Sequence, residues 1–174
     1  MLIHDLLAQG FTRSFEYFPP KSDEEAVTLR TTLHELSELH PSFVSVTYRG
    51  GAVSRQRTFD LVTSIERDEH VTAMAHVICV GHTKAEIRDL LERYQAAGVS
   101  NLMALGGDVP EDPRLRTSEF HFASELVELA REVGTFSIGV GAHPVGHPRS
   151  LNLESDRRHL AHKLAPADFA VTQF

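Results

Sequence analysis

The stretch TAMAHVICVGHTKAEIRDLLERYQAAGVSNLMALGGD, residues 72–108, holds one whole structural repeat. It opens on an apolar run at 72–80 that reads as a buried strand. Thr83 and Glu86 then form a capping-box pattern, in which each side chain satisfies a free backbone N–H at a helix start. Ile87, Leu90, Leu91 and Tyr94 follow at three- and four-residue spacing, one face of a helix. Gly98 provides the stop. A second apolar run, 101–107, comes next. Strand, helix, strand in that order predicts two parallel strands joined by a right-handed crossover.

The same rhythm runs outward in both directions. Further strands are expected at 14–18 (SFEYF), 43–48 (FVSVTY), 136–144 (FSIGVGAHP) and 169–174 (FAVTQF). They recur roughly every 30 residues, the length of a βαβ unit. Ser22 and Glu25 form a second capping box, ahead of Ala26, Leu29, Leu33, Leu36 and Leu39. Residues 118–133 place Phe122, Leu126, Leu129 and Val133 at helical spacing, with Gly134 as the stop. Residues 58–66 and 154–164 carry weaker helical patterns.

The expected class is therefore α/β, in one domain over residues 1–174. An eight-stranded barrel takes about 250 residues. The expectation is a (β/α)8 TIM barrel with about six βα units present and the C-terminal units absent, or else an open sheet. No G-x-G-x-x-G fingerprint follows the first strand, which weighs against a dinucleotide-binding sheet of the Rossmann type.

The totals narrow the partners. The 174 residues carry a net charge of −7, which disfavours nucleic acid and anionic membranes. Cys79 is the single cysteine, so no internal disulfide forms and a reducing cytoplasmic setting is expected. The N-terminus lacks a signal-peptide pattern, and no apolar segment reaches membrane-spanning length.

In a parallel βα architecture ligands gather at the C-terminal strand ends. Polar residues there are Glu16, Thr47, Tyr48, His76, Asp108, His143, His147, Thr172 and Gln173. Glu16 stands among Phe15, Tyr17 and Phe18, just before the Pro19-Pro20 break. One reading buries it among the aromatics, where desolvation favours a general acid. The other turns it outward or pairs it with a basic neighbour. Asp108 follows two glycines and reads either as a ligand contact or as a plain turn. His76 reads as a core histidine or a functional one. The eleven histidines include no H-E-x-x-H pair, and His159 and His162 read best as a solvated helix face, so no metal site is expected. Arg49, Arg55 and Arg57 sit among glycines and could cradle a phosphate or simply be solvated.

Taken together, SFEYFPPK, PSFVSVTYRGGAVSRQRT, AHVICVGHT, NLMALGGDVP, VGAHPVGHPRS and ADFAVTQF resemble, in order, the strands and loops of the methylenetetrahydrofolate reductase family. The resemblance spans residues 14–174. It implies a barrel with FAD at its C-terminal face, and NADH or NADPH as co-substrate. The implied reaction takes 5,10-methylenetetrahydrofolate to 5-methyltetrahydrofolate, in one-carbon and methionine metabolism. By resemblance Glu16 matches the catalytic acid that opens the folate ring, and Asp108 a catalytic aspartate beside flavin and folate. Gln173 matches a folate contact. Thr47, His76, Gly107 and His147 match flavin contacts, and Asp156, His159 and Lys163 lie where the FAD ribose and phosphates are held.

The chain departs from the family's usual pattern at Arg49, at Gly106 (usually arginine) and at His143 (usually aromatic). These departures cluster on the flavin side. They raise the alternative of direct, flavin-independent hydride transfer from NADH. Other readings are a partial chain that only binds folate or flavin, and a barrel reductase using a deazaflavin. A homo-oligomer is left open.

Overall fold

The computed structural model describes residues 1–48, 52–108 and 118–172. A short helix, α1 (Ile3–Ala8), comes first. Then strands and helices alternate: β1 (Ser14–Tyr17), α2 (Asp23–Ser37), β2 (Phe43–Val46), α3 (Ala52–Ser64), β3 (Ala73–Ile78), α4 (Lys84–Ala96), β4 (Asn101–Leu105), α5 (Ala123–Val133), β5 (Ser137–Ala142), α6 (Leu153–Leu164) and β6 (Phe169–Thr172). The strands pair in chain order, β1 to β6, all parallel. This is an α/β fold whose six parallel strands curl into a half-barrel, with β1 and β6 at the edges.

Local signals place the helices where the sequence asks for them. Ser22 Oγ accepts the Glu25 N–H at 3.2 Å. Thr83 and Glu86 close a full capping box, Glu86 N–H to Thr83 Oγ1 at 3.2 Å and Thr83 N–H to Glu86 Oε2 at 2.9 Å. Glu125 reaches back to the Phe122 N–H at 2.8 Å. Phe122 is thereby an N-terminal cap residue, 62% exposed, rather than the core position its spacing suggested. The weak pattern at 58–66 is a longer element: α3 runs directly into one π-helical turn, Ile65–Glu69.

Register sorts the side chains onto two faces. In parallel pairs, matched residues share a face. Tyr17, Val44, Val46, Ala75, Val77, Leu102, Ala104, Ile138 and Val140 face outward and pack with Leu33, Val62, Ile87, Leu91, Tyr94, Leu126 and Leu129 from the helices. This sheet-to-helix layer is the main core. Removing one of its fully buried leucines, such as Leu91, would cost roughly 2–5 kcal/mol. The inner face carries a second, smaller cluster of Ile3, Phe43, Met74 and Met103, joined by Leu6, Leu105 and Phe169.

The short helix α1 closes the N-terminal end of that inner face. Ile3 is fully buried, and its N–H donates to Asn101 Oδ1 at 2.8 Å. Asn101 Nδ2 donates to the Met1 carbonyl at 2.9 Å. His4 N–H donates to Ser137 Oγ at 3.1 Å. Gly139 lies over the same cluster, where an added Cβ would overlap the Phe169 ring.

Candidate active site

The candidate site residues of the inner face lie toward the opposite, C-terminal end. Glu16 on β1 is in register with Ser45 on β2. Its Oε2 lies 3.5 Å from His76 Nε2 on β3 and 3.5 Å from the Ser45 hydroxyl. The burial expected of Glu16 is not found: its side chain is 52% exposed, against 12% for His76. The reason is strand alternation. Phe15 and Tyr17, its chain neighbours, turn to the other face and pack in the helix layer. Phe18, past the strand, is itself exposed. The two aromatics that flank Glu16 in sequence therefore face away from it in space.

His76 is the buried member of the pair. Burial alone pushes its imidazole down to about 4, so it is neutral at pH 7. The contact with Glu16 is then one between a neutral imidazole and a carboxyl group 3.5 Å apart. It is not an ion pair.

Thr47 follows β2 and keeps the ladder, its N–H donating to the Tyr17 carbonyl at 2.9 Å. Its carbonyl accepts from Thr58 Oγ1 at 2.8 Å. Thr47 Oγ1 is buried with no hydrogen-bond partner among the described residues. An orphaned buried hydroxyl costs about 1–3 kcal/mol.

After β4 the chain passes Gly106, Gly107 and Asp108. Gly107 has φ +86°, and an added Cβ would overlap the Ile78 and Val80 side chains. Glycine is required there for the backbone to lie against β3. Asp108 is exposed at the rim.

The loop between β5 and α6 supplies a third group. The His143 and His147 rings meet edge to face, 4.7 Å between centroids, although the prolines rule out a helix there. His147 Nδ1 accepts the Arg149 N–H at 3.1 Å, which leaves the proton on Nε2. Burial, then the neighbouring His143 and Arg149, lower the His147 imidazole below its ordinary range. Arg149 reaches across to the Gly107 carbonyl at 3.4 Å, tying this loop to the end of β4. Asp156 is 7% exposed and accepts from Ser150 Oγ at 2.8 Å, the bond that chiefly holds its carboxyl low. Lys163 Nζ donates to the Gly141 carbonyl at 2.5 Å, and burial lowers its amine.

The fold thus joins Glu16 to His76, and His147 to Asp156 through the 147–150 turn. His159 stands apart from these, stacked on Phe122 at 6.3 Å. Gln173 lies outside the described residues, as does Arg49. Among the described residues no three His, Cys, Asp or Glu side chains gather as a metal site, and no helix is long and apolar enough to cross a membrane. Sequence reasoning missed Ser45, Arg149 and Ser150. Ser45 is found only through strand register, and the other two only through a loop whose path no periodicity announces.

Comparison with known proteins gives one answer. The family model described as methylenetetrahydrofolate reductase matches residues 2–174. The 5,10-methylenetetrahydrofolate reductase of Escherichia coli (strain K12) is 38% identical over 162 residues, covering 92% of this chain and 54% of that protein. The protein of the same name from Pectobacterium carotovorum subsp. carotovorum is 35% identical, covering 92% of this chain and 53% of its own length. Methylenetetrahydrofolate reductase 1 of Schizosaccharomyces pombe is 32% identical, covering 99% of this chain and 30% of its own. The chain spans about half the length of the bacterial relatives it matches. On this match, which runs through every strand of the half-barrel, the chain belongs to the methylenetetrahydrofolate reductase family.

Proposed function

We propose that this chain carries the acid and flavin side of a site that reduces 5,10-methylenetetrahydrofolate to 5-methyltetrahydrofolate with NADH or NADPH. The observation that carries the reading is the joint placement of Glu16, Thr47 and His76 at the C-terminal end of the inner face.

The residues fit FAD. Thr47 Oγ1 is an orphaned buried donor that a polar ligand would satisfy. Lys163 and Arg149 supply cations for a diphosphate, and the buried Asp156 an acceptor for ribose hydroxyls. Thr47, His76, Gly107, Asp108, His147, Asp156, His159 and Lys163 would hold the cofactor. Bound FAD supplies a carrier that accepts hydride from the nicotinamide and passes it to the folate.

Glu16 does the protein's own chemistry. A folate lying on the inner face would bring its N10 against this carboxyl. The acid then protonates N10 as the C–N bond to the bridging methylene breaks. The folate becomes an iminium cation at N5, and one hydride completes the methyl group. Ser45 and His76 hold the carboxyl in place. Asp108 and Gln173 complete the folate side.

A second reading, direct hydride transfer without flavin, draws on Gly106. Where the family usually has arginine, a Cβ would meet nothing within 4 Å. The visible spectrum of the purified chain, before and after anaerobic NADH, separates the two. A flavin spectrum that bleaches supports the flavoprotein. A flavin-free preparation that still reduces the folate establishes the direct route. Absence of both flavin and folate reduction overturns an independent activity for these 174 residues.

A further inference from the structure

Behind the inner face, on the helix side of the rim, lies a polar cluster that the proposed chemistry does not use. Tyr48 and His82 are each 5% exposed. Tyr48 Oη and His82 Nε2 lie 2.6 Å apart, with the rings stacked at 5.9 Å. Arg55 Nη1 lies 3.2 Å from His82 Nδ1. A guanidinium only donates, so Nδ1 accepts and Nε2 carries the proton, which it gives to the Tyr48 oxygen. Glu86 stands 3.9 Å from both His82 Nδ1 and Arg55 Nη2.

This cluster joins three rim segments. Tyr48 lies two residues past β2, Arg55 is on the first turns of α3, and His82 precedes α4. The His82 carbonyl also accepts the Glu119 N–H at 3.2 Å, while the Glu119 carboxylate accepts the Lys84 N–H at 2.6 Å. The segment that returns from the Asp108 loop is therefore tied to the same turn.

Thr47 precedes Tyr48 directly and points to the opposite face. Its backbone is held by Tyr17 and Thr58, and its neighbour's side chain by His82. Among the described residues its hydroxyl has no partner. We propose that His82 is a positioning residue which, through Tyr48 and Arg55, locks the end of β2 so that Thr47 presents its hydroxyl to bound flavin. The proposal rests on the flavin reading above.

It has a pH signature. Burial first, and Arg55 second, keep His82 below the ordinary imidazole range, with Glu86 opposing. A proton arriving on Nδ1 faces the Arg55 guanidinium and ends that bond. Among the described residues the groups around it are Tyr48 just past β2, Arg55 from α3, Glu86 from α4 and Glu119 ahead of α5, with Tyr94 behind Tyr48. Acidification therefore opens the lock, and flavin affinity falls as His82 takes up its proton.

The test compares the wild-type chain with Tyr48→Phe and His82→Gln. The readouts are Thr47 amide exchange and FAD affinity against pH, by fluorescence quenching. Loss of one buried hydrogen bond speeds Thr47 exchange about tenfold and weakens FAD by a similar factor in both variants. In His82→Gln the acid limb of the affinity profile also shrinks, to what the flavin-facing His76 and His147 contribute. Tyr48→Phe removes a single oxygen, so it keeps the test sharp if the histidine variant folds poorly. Unchanged Thr47 exchange in both variants overturns the lock. A wild-type chain that takes up no FAD overturns the flavin reading instead, and the exchange rates still decide the lock.

Discussion

The two ends of the inner face are built on opposite terms. At the N-terminal end, Ile3, Phe43, Met74 and Met103 fill the space, and Asn101 and Ser137 satisfy the backbone of α1. At the C-terminal end, Glu16 is half-exposed, the Thr47 hydroxyl has no partner among the described residues and burial lowers two imidazoles below their ordinary range. One end spends its contacts on stability, while the other leaves polar capacity for a ligand. Barrel enzymes divide their labour the same way.

Variants at each end break or sharpen that contrast. The largest expected effect is at the open end. Glu16→Gln keeps the shape and removes the acid, so folate reduction falls by 10²- to 10⁴-fold, as for loss of a general acid. Unfolding free energy stays within about 0.5 kcal/mol, because the side chain is half-exposed. Steady-state assays and urea melts on one preparation check both halves, and retained activity removes Glu16 from the chemistry.

Ile3→Ala should do the reverse. A fully buried isoleucine lost from the closed end costs roughly 2–4 kcal/mol of stability. FAD affinity should be unchanged. A variant that unfolds normally but loses its ligand would show that the two ends are coupled.

His76 gives a smaller, pH-dependent effect. Its imidazole is about 4 when folded, against 6.5 when exposed. Between those values the unfolded chain binds a proton that the folded chain refuses. The stability from neutral His76 is complete above pH 6.5 and is lost as pH falls through about 4, up to roughly 3 kcal/mol. His76→Gln should flatten that part of the profile, read from urea melts at pH 7 and 4.5. Equal slopes in both proteins would mean that the imidazole titrates as freely in the folded state.

Much of this was legible beforehand. All six strands fall within the apolar runs, Thr83 and Glu86 form the full capping box, and Ser22 caps its helix while Glu25 turns to the Lys21 N–H instead. Buried parallel strands announce themselves because both of their faces must be apolar. The misses share a cause. Helix α1 is six residues long, too short for periodicity, and is held by Asn101 and Ser137 from far along the chain. Of the two readings open for Glu16, the one that turns it outward beside a basic neighbour is the one observed, because the flanking Phe15 and Tyr17 face the other way. The partners of Glu16, Ser45 and His76, depend on register across three strands. His82 gave no signal at all, since its role depends on a guanidinium and a phenol arriving from other elements.

The closed end also has a practical side. Met1 is exposed while its carbonyl is tied to Asn101, so the first residue leaves the molecule on the side away from Glu16 and His147. A tag, a fluorophore or a surface tether grafted there would point away from the open mouth. The protein could then be immobilised on a sensor with its ligand entrance turned toward the solution.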